Sequence, residues 1–294
     1  MLDSLSPEAK SILVMAMSQC KRSHTYYIHD MDSAIEQAVA GTQAIGRAML
    51  VLRAIASAGR RGVRVADIVA MSALPQATVS RMLAALQREG VVVRDERLRK
   101  YFVGPVIHEL GLVARNNYAL PQACHHAMQL LVEQTQDTVY LSERRGMEAT
   151  CTAAEEGSYP IKAIPLHVGI RRPLGVGAGG LAILAAMDPH HADEILRANA
   201  PRYPAYGGID LKYLGDALVE TRERGWSWVS NKATAGMTAV GAVIVGPSNE
   251  PVAALSISAI SSRMSHERAP KLARLLLKQC AEITAALSSR QAAG

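Results

Sequence analysis

Gly175-Val-Gly177-Ala-Gly179-Gly180 is a glycine-rich run followed by a helical pattern. Such a run exposes backbone N–H groups and the positive end of the helix dipole, so it can hold a carboxylate or a phosphate. It also fits GxGxxG. A dinucleotide fingerprint would further need a buried strand just before it and an acid about twenty residues later. Gly169-Ile-Arg-Arg-Pro173 makes a poor buried strand, and Leu196 to Ala200 holds no acid, so a carboxylate is the better-suited guest. Ser256 and Ser258 alternate in a strand pattern, which turns both hydroxyls to one side. Whether that side faces a ligand, solvent or the fold's own polar groups is open at this level.

Catalytic and metal chemistry find less support. His125-His126 and His190-His191 are adjacent pairs, and neighbours on a helix diverge, so neither forms the chelate of an H-E-x-x-H. Cys20, Cys124, Cys151 and Cys280 are scattered, with no CxxC and no Cys/His cluster at metal spacing. Cys151 falls in a strand pattern with no identifiable base. No catalytic residue, metal or cofactor is therefore assigned, and a reducing cytoplasm is the expected compartment. No run of eighteen apolar residues is present, so no membrane partner is expected. With 1 Phe, 2 Trp and 9 Tyr, a stacking platform for single-stranded nucleic acid is disfavoured.

The charge is unevenly placed. Between Gln43 and Gly104 there are eleven Arg and Lys against four acids, a balance of +7, whereas the whole chain carries 32 basic and 26 acidic residues, or +6. The remainder thus sums to 32−11=21 basic against 26−4=22 acidic, or −1. A near-neutral body with one basic module points to a polyanion, most simply duplex DNA, although a solvated basic surface has the same count.

Helical spacing organises this block. Ile45, Met49, Leu52 and Ile55/Ala56 mark one apolar face from Gln43 onward, and Ala58 to Gly62 breaks it. Val65 to Met71 reads as a second helix with Val65, Ile68 and Val69 inward, and Ser72 to Leu74 as a tight turn. Pro75 opens a third helix that runs to Glu89 and stops at Gly90. Projected at about 100° per residue, Val79, Met82, Leu83 and Leu86 share one face, and Ala77, Ser80, Arg81, Ala84 and Arg88 the other. Gln76 and Thr78 sit in its first turn. This outer face is small and basic, able to enter a major groove. Val91 to Val93 and Tyr101 to Val103 read as a hairpin with Arg94, Arg97, Arg99 and Lys100 near its tip, suited to phosphates. Arg47, Arg53, Arg60 and Arg61 read as backbone-facing or merely solvated.

Helix, helix-turn-helix and basic wing, in that order, make a winged helix. The run Ala66-Asp-Ile-Val to Leu74-Pro-Gln-Ala-Thr-Val-Ser-Arg-Met-Leu-Ala-Ala-Leu-Gln-Arg-Glu-Gly90, closing at Tyr101-Phe-Val-Gly104, resembles the winged helix of the IclR family of bacterial transcription regulators. That family usually has Gly where this chain has Ala73, and Lys-Ser where it has Gln76-Ala77, so the preferred operator is expected to differ.

Beyond the block, a linking helix over Val106–Asn117 leads to mixed elements of an α+β domain. Helix is expected to restart at Pro121 and run to Gln134. Strand patterns follow at Thr138–Ser142, Glu148–Ala153 and Ile161–Ile164, then helices at Gly179–Met187, Ala192–Ala198 and Leu211–Arg224. Strands return at Trp226–Ser230, Thr238–Val245 and Val252–Ala259, before a last helix from His266 to Ser288. Asp137-Thr-Val-Tyr-Leu141, Gly169-Ile-Arg-Arg-Pro-Leu174, Gly225-Trp226 and Pro251-Val-Ala-Ala-Leu-Ser-Ile-Ser258 resemble the same family's GAF-like effector domain.

The resemblance implies an N-terminal winged helix-turn-helix at 42–104, a linker helix at 105–120 and a GAF-like effector-binding and oligomerisation domain at 121–294. Residues 1–41 read as an extension, with Met31 a candidate alternative start. It further implies DNA contacts from Gln76, Ala77, Thr78, Ser80, Arg81, Arg88, Arg94, Arg97, Arg99 and Lys100. Effector contacts would come from Gly177, Ala178, Gly179, Ala239, Ser256 and Ser258. Where some family members that bind small 2-oxo acids use an Asp and a Cys, this chain has Val229-Ser230 and Ala239, which favours a larger or more apolar acid. The implied protein is a regulator, not an enzyme. It would bind a DNA operator as a dimer or dimer of dimers under control of a small carboxylate. An enzyme with an accessory DNA-binding domain and a protein-interaction module are the competing classes.

Overall fold

The computed structural model describes residues 42–114, 120–161 and 166–292. Residues 1–41 and most of the strand expected over 161–164 lie outside them; Ile161 itself is not in a strand. The chain divides into two compact units, the second beginning at Leu120. Among the described residues no helix is long and apolar enough to cross a membrane.

The first unit contains α1 (Gln43–Ser57), α2 (Val65–Ser72), α3 (Gln76–Arg88), β1 (Val92–Asp95), β2 (Lys100–Val103) and α4 (Pro105–Ala114). Its core is Leu50, Val51, Ala54 and Ile55 of α1, Ile68 of α2, Val79 and Leu83 of α3, with Val63, Val92 and Tyr101. The face of α1 thus differs from the sequence reading. Ile45 and Met49 are 66% and 41% exposed, and Leu50 and Val51 are buried instead. Met49-Leu50-Val51-Leu52 is apolar without a break, so two faces about 100° apart both satisfy helical spacing. Packing against α2, α3 and β2 selects the one shared with Ile55.

Asp67 caps α2 by accepting from the Arg64 N–H at 3.3 Å. Helix α2 ends at Ala73 in the left-handed conformation, φ 51°. Pro75 is the N-cap of α3 rather than its first helical residue, and its carbonyl accepts from Thr78 and Val79 at 2.9 and 3.1 Å. β1 and β2 pair antiparallel from Val92↔Val103 to Asp95↔Lys100, and Val63 bridges to Tyr101 on the far side. No residue of α4 is buried within the single chain.

The second unit contains α5 (Leu120–Thr135), β3 (Thr138–Arg145), β4 (Glu148–Glu155), β5 (Arg171–Pro173), α6 (Gly177–Ala185), α7 (Pro189–Asn199), α8 (Leu211–Arg224), β6 (Ser227–Ser230), β7 (Met237–Val245), β8 (Pro251–Ile260) and α9 (Ala269–Ala292). The strands form one antiparallel sheet in the order β5-β4-β3-β8-β7-β6. Alternation along the strands builds two cores. Val139, Leu141, Ala253, Leu255 and Ile257 face α5 and α9. On the opposite face α6 lies against the sheet, backed by α7 and α8.

Several boundaries move relative to the sequence reading, two of them at helix starts near the candidate site or its supports. Helix α6 begins at Gly177, not Gly179, and α7 at Pro189, where Asp188 accepts from the N–H groups of His190 and His191 at 3.0 and 3.2 Å. The segment judged a poor buried strand does form β5, as a three-residue edge strand. Asp137, quoted above as part of a family motif, is buried and ion-paired with Arg263 at 2.8 Å and Arg268 at 2.6 Å, tying β3 to the start of α9.

Candidate functional site

Two sites emerge, one in each unit. In the first, α3 turns Val79 and Leu83 into the core and leaves Gln76, Ala77, Ser80, Arg81, Ala84 and Arg88 exposed, with Thr78 half-buried. The exposed face is small enough for close approach to a base-pair edge. The Arg81 side chain lies along the helix, its Nε donating to the Ala77 carbonyl at 3.4 Å. Arg47, unassigned by sequence, lines one groove with Thr78 and Arg81, so the start of α1 borders the recognition face.

The wing cations are not equivalent. Lys100, in the last strand pair before the turn, is half-buried and its Nζ donates to the Arg61 carbonyl at 2.6 Å, so it braces the hairpin. Arg94 pairs with Glu96 at 3.4 Å and lies over the Tyr101 ring at 5.8 Å. Arg97 and Arg99 sit exposed in the turn, which is shaped by the Leu98 N–H donating to Asp95 Oδ1 at 2.8 Å and by a left-handed Arg99, φ 51°. Arg88 carries Glu89 beside it at 3.5 Å.

The second site is a cavity of about 60 Å³ between the start of α6 and the β4-β3-β8-β7 face of the sheet. Gly177, Ala178, Gly179, Ala239, Ser256 and Ser258 all line it. Ser256 and Ser258 are buried, opposite Tyr140 and Thr138 on β3 and Gly241 and Ala239 on β7. The first-turn N–H groups of α6 have no intrahelical acceptor, and no side chain caps them from Val176. They are therefore donors available to a guest.

Three contacts hold α6 in place. The Ser227 hydroxyl donates to the Ala178 carbonyl at 2.6 Å. Gly241 lets the same carbonyl approach β7, since a Cβ there would stand 2.7 Å from it. The buried Tyr203 hydroxyl donates to the Leu174 carbonyl at 2.8 Å, just before the helix.

Lining residues that sequence reasoning did not assign to the site include Tyr140, Ser142, Cys151 and Arg172. Tyr140 and Ser142 alternate on β3, the same signal that singled out Ser256 and Ser258. Arg172 was hidden because its segment did not read as a strand. Burial pushes the Cys151 thiol up to about 12, against smaller opposing effects of the Arg172 charge and of the Ala153 backbone. It is protonated at neutral pH and a poor nucleophile. His190 and His191 lie on exposed α7 beside Glu194, each at 3.5 Å. His125 pairs with Glu155 at 3.1 Å. Neither pair approaches the cavity lining.

Comparison with known proteins places both units. The model of the bacterial transcriptional regulator IclR C-terminal domain matches residues 114–285, and that of the IclR helix-turn-helix domain matches residues 44–96. The acetate operon repressor of Salmonella typhimurium is 27% identical over 256 residues, 83% of this chain and 89% of that protein. The transcriptional repressor IclR of Escherichia coli K12 is 26% identical over 265 residues, 86% of this chain and 93% of that protein. Among solved structures, an IclR transcriptional regulator from Alicyclobacillus acidocaldarius superposes with a TM-score of 0.68 at 23% identity, covering 83% of this chain and 98% of that one. An IclR homologue from Microbacterium hydrocarbonoxydans in complex with 4-hydroxybenzoate gives 0.66 at 21% identity, covering 84% and 99%. The chain belongs to the IclR family of bacterial transcriptional regulators and carries that family's helix-turn-helix DNA-binding domain.

Proposed function

We propose that this protein binds an operator in duplex DNA through α3 and the wing and that a small organic carboxylate, held in the cavity, modulates that binding. The observation that carries the DNA half is the exposed, small and basic face of α3 in the same unit as Arg97 and Arg99 of the hairpin turn. Gln76, Ala77, Thr78, Ser80 and Arg81 would meet base edges. Arg47, Arg88, Arg97 and Arg99 would meet phosphates. Relatives named as repressors support repression as the mode. The effector half rests on the uncapped α6 N-terminus above two buried serines, and a ligand-bound neighbour supports it.

Operator binding as a homodimer, or a dimer of dimers, fits a further feature. Leu110 and Val113 of α4 and Ile45 of α1 are 60%, 79% and 66% exposed in the single chain, apolar surface that a second copy would cover. The effector must favour one arrangement of the DNA-binding units over another to change affinity. Filter binding of genomic duplex fragments over a salt series is the test. Specific retention that weakens steeply with salt is expected, whereas no duplex binding at any salt would sink the regulator reading. Light scattering reads the copy number in the same samples.

A further inference from the structure

The cavity has a charge and a vacancy that the serine pair and the helix start do not explain. Among the described residues lining it, Arg172 is the sole cation and there is no Asp or Glu. Arg172 sits opposite Ala149 on edge strand β5, while its neighbour Arg171 pairs with Glu148 at 3.7 Å. Its guanidinium lies at the mouth of α6: a Cβ built on Gly177 would stand 4.0 Å from Arg172 Nη1. A carboxylate at the α6 N–H groups would therefore also lie near the Arg172 guanidinium. That charge acts on Tyr140 and Cys151 as well, favouring their ionised forms against the stronger effect of burial.

Tyr140 supplies the second, independent observation. It is 2% exposed, lines the cavity and stands in register with Ser256. Among the described residues its hydroxyl is the one fully buried side-chain polar atom of the cavity lining that has no hydrogen-bond partner. A buried hydroxyl left unpaired is costly, and a bound guest that pairs it recovers that cost.

Resting on the effector reading above, we propose that Arg172 and Tyr140 are ligand-binding residues. Arg172 and the α6 N-terminus take the carboxylate, and Tyr140 bonds a second oxygen, so the guest is a hydroxy- or oxo-carboxylate. This revises the expectation of a more apolar acid. The polar functions absent at Val229 and Ala239 are supplied from β5 and β3 instead.

The test uses the full-length protein, calorimetric titration and thermal shift. The probes are lactate, pyruvate and 4-hydroxybenzoate, with lactamide and 4-hydroxybenzamide as neutral counterparts and propionate and benzoate as acids lacking the second oxygen. At least one of the first three is expected to bind, its amide (pyruvamide for pyruvate) not to bind, and its deoxygenated counterpart to bind more weakly. Arg172→Gln should weaken the acid by roughly ten- to a hundred-fold, with Arg172→Lys in between, and Tyr140→Phe by about five-fold. Tyr140→Phe should leave propionate or benzoate affinity unchanged, which a merely structural role would not do. If Arg172→Gln fails to fold, Arg172→Lys and Tyr140→Phe carry the comparison.

Acids that bind Arg172→Gln and Tyr140→Phe as tightly as the parent, yet are lost in the Ser256→Ala, Ser258→Ala double variant, would overturn this assignment and spare the effector cavity. Amides binding as well as acids would also overturn it. Binding of none of these acids by a protein that still retains duplex DNA would overturn it and leave the DNA-binding reading standing.

Discussion

At the scale of the residue, Ala73 shows how much conformation hides inside an unremarkable letter. Ala73 closes α2 in the left-handed region, with φ 51°. An L-residue there costs roughly 1 kcal/mol, of which glycine's greater unfolded-state entropy would return about half. Ala73→Gly is therefore expected to stabilise the first unit by about 0.5 kcal/mol, read as a higher urea midpoint without change in slope. The serine pair was legible because strand alternation needs only the local pattern. Tyr140 and Arg172 were not. The role of Tyr140 depends on the β3–β8 register, which places it beside Ser256, and that of Arg172 on a three-residue strand too short and too polar to show a period. Lys100 illustrates the reverse case. Its charge was visible, but its engagement by the Arg61 carbonyl depends on a contact across 39 residues.

At the scale of the element, the order of helices and strands was legible nearly throughout, and the errors share one cause. Where apolar residues run without interruption, as at Met49 to Leu52, periodicity cannot choose a face. Where glycines are dense, as at Gly177 to Gly180, propensity cannot locate a helix start. Tertiary contacts decide both. For α6 the deciding contact is with β7, where Gly241 leaves room for the Ala178 backbone. A methyl group at Gly241 would also stand 2.7 Å from Ser227 Oγ, so neither wall can yield cheaply. Gly241→Ala should cost about 2 kcal/mol of stability and lift the α6 N-terminus from the sheet. Chemical denaturation measures the first effect. The second predicts weaker binding of any acid held there, with winged-helix affinity for DNA in the absence of ligand unchanged.

At the scale of the whole molecule, two responses follow from charge. The thiols of Cys124, Cys151 and Cys280 are each pushed from 9.0 up to about 12, chiefly by burial. Their folded-state values are raised, so the protonated thiols contribute stability that is complete below pH 9 and is lost as pH rises from 9 toward 12. Each should contribute a slope of about 1.4 kcal/mol per pH unit in that window. Urea midpoints flat from pH 7 to 8.5 and falling above 9 are expected, and a midpoint still flat at pH 10.5 would contradict the burial of these groups. Salt tests the other charge pattern, the basic first unit on a near-neutral body. Arg47, Arg88, Arg97 and Arg99 are the cations placed to meet phosphate, about four per copy, so the logarithm of affinity should fall with the logarithm of salt at a slope of about −4 for one copy and −7 for two. Arg97→Ala with Arg99→Ala should flatten it by about 2 per bound copy, while leaving the preference among operator sequences intact, because phosphate contacts carry no sequence information. Arg81→Ala should do the opposite, eroding that preference with little change in slope. A double variant that kept the full slope would remove the wing from the interface and leave α3 and the start of α1 to carry the whole electrostatic contribution.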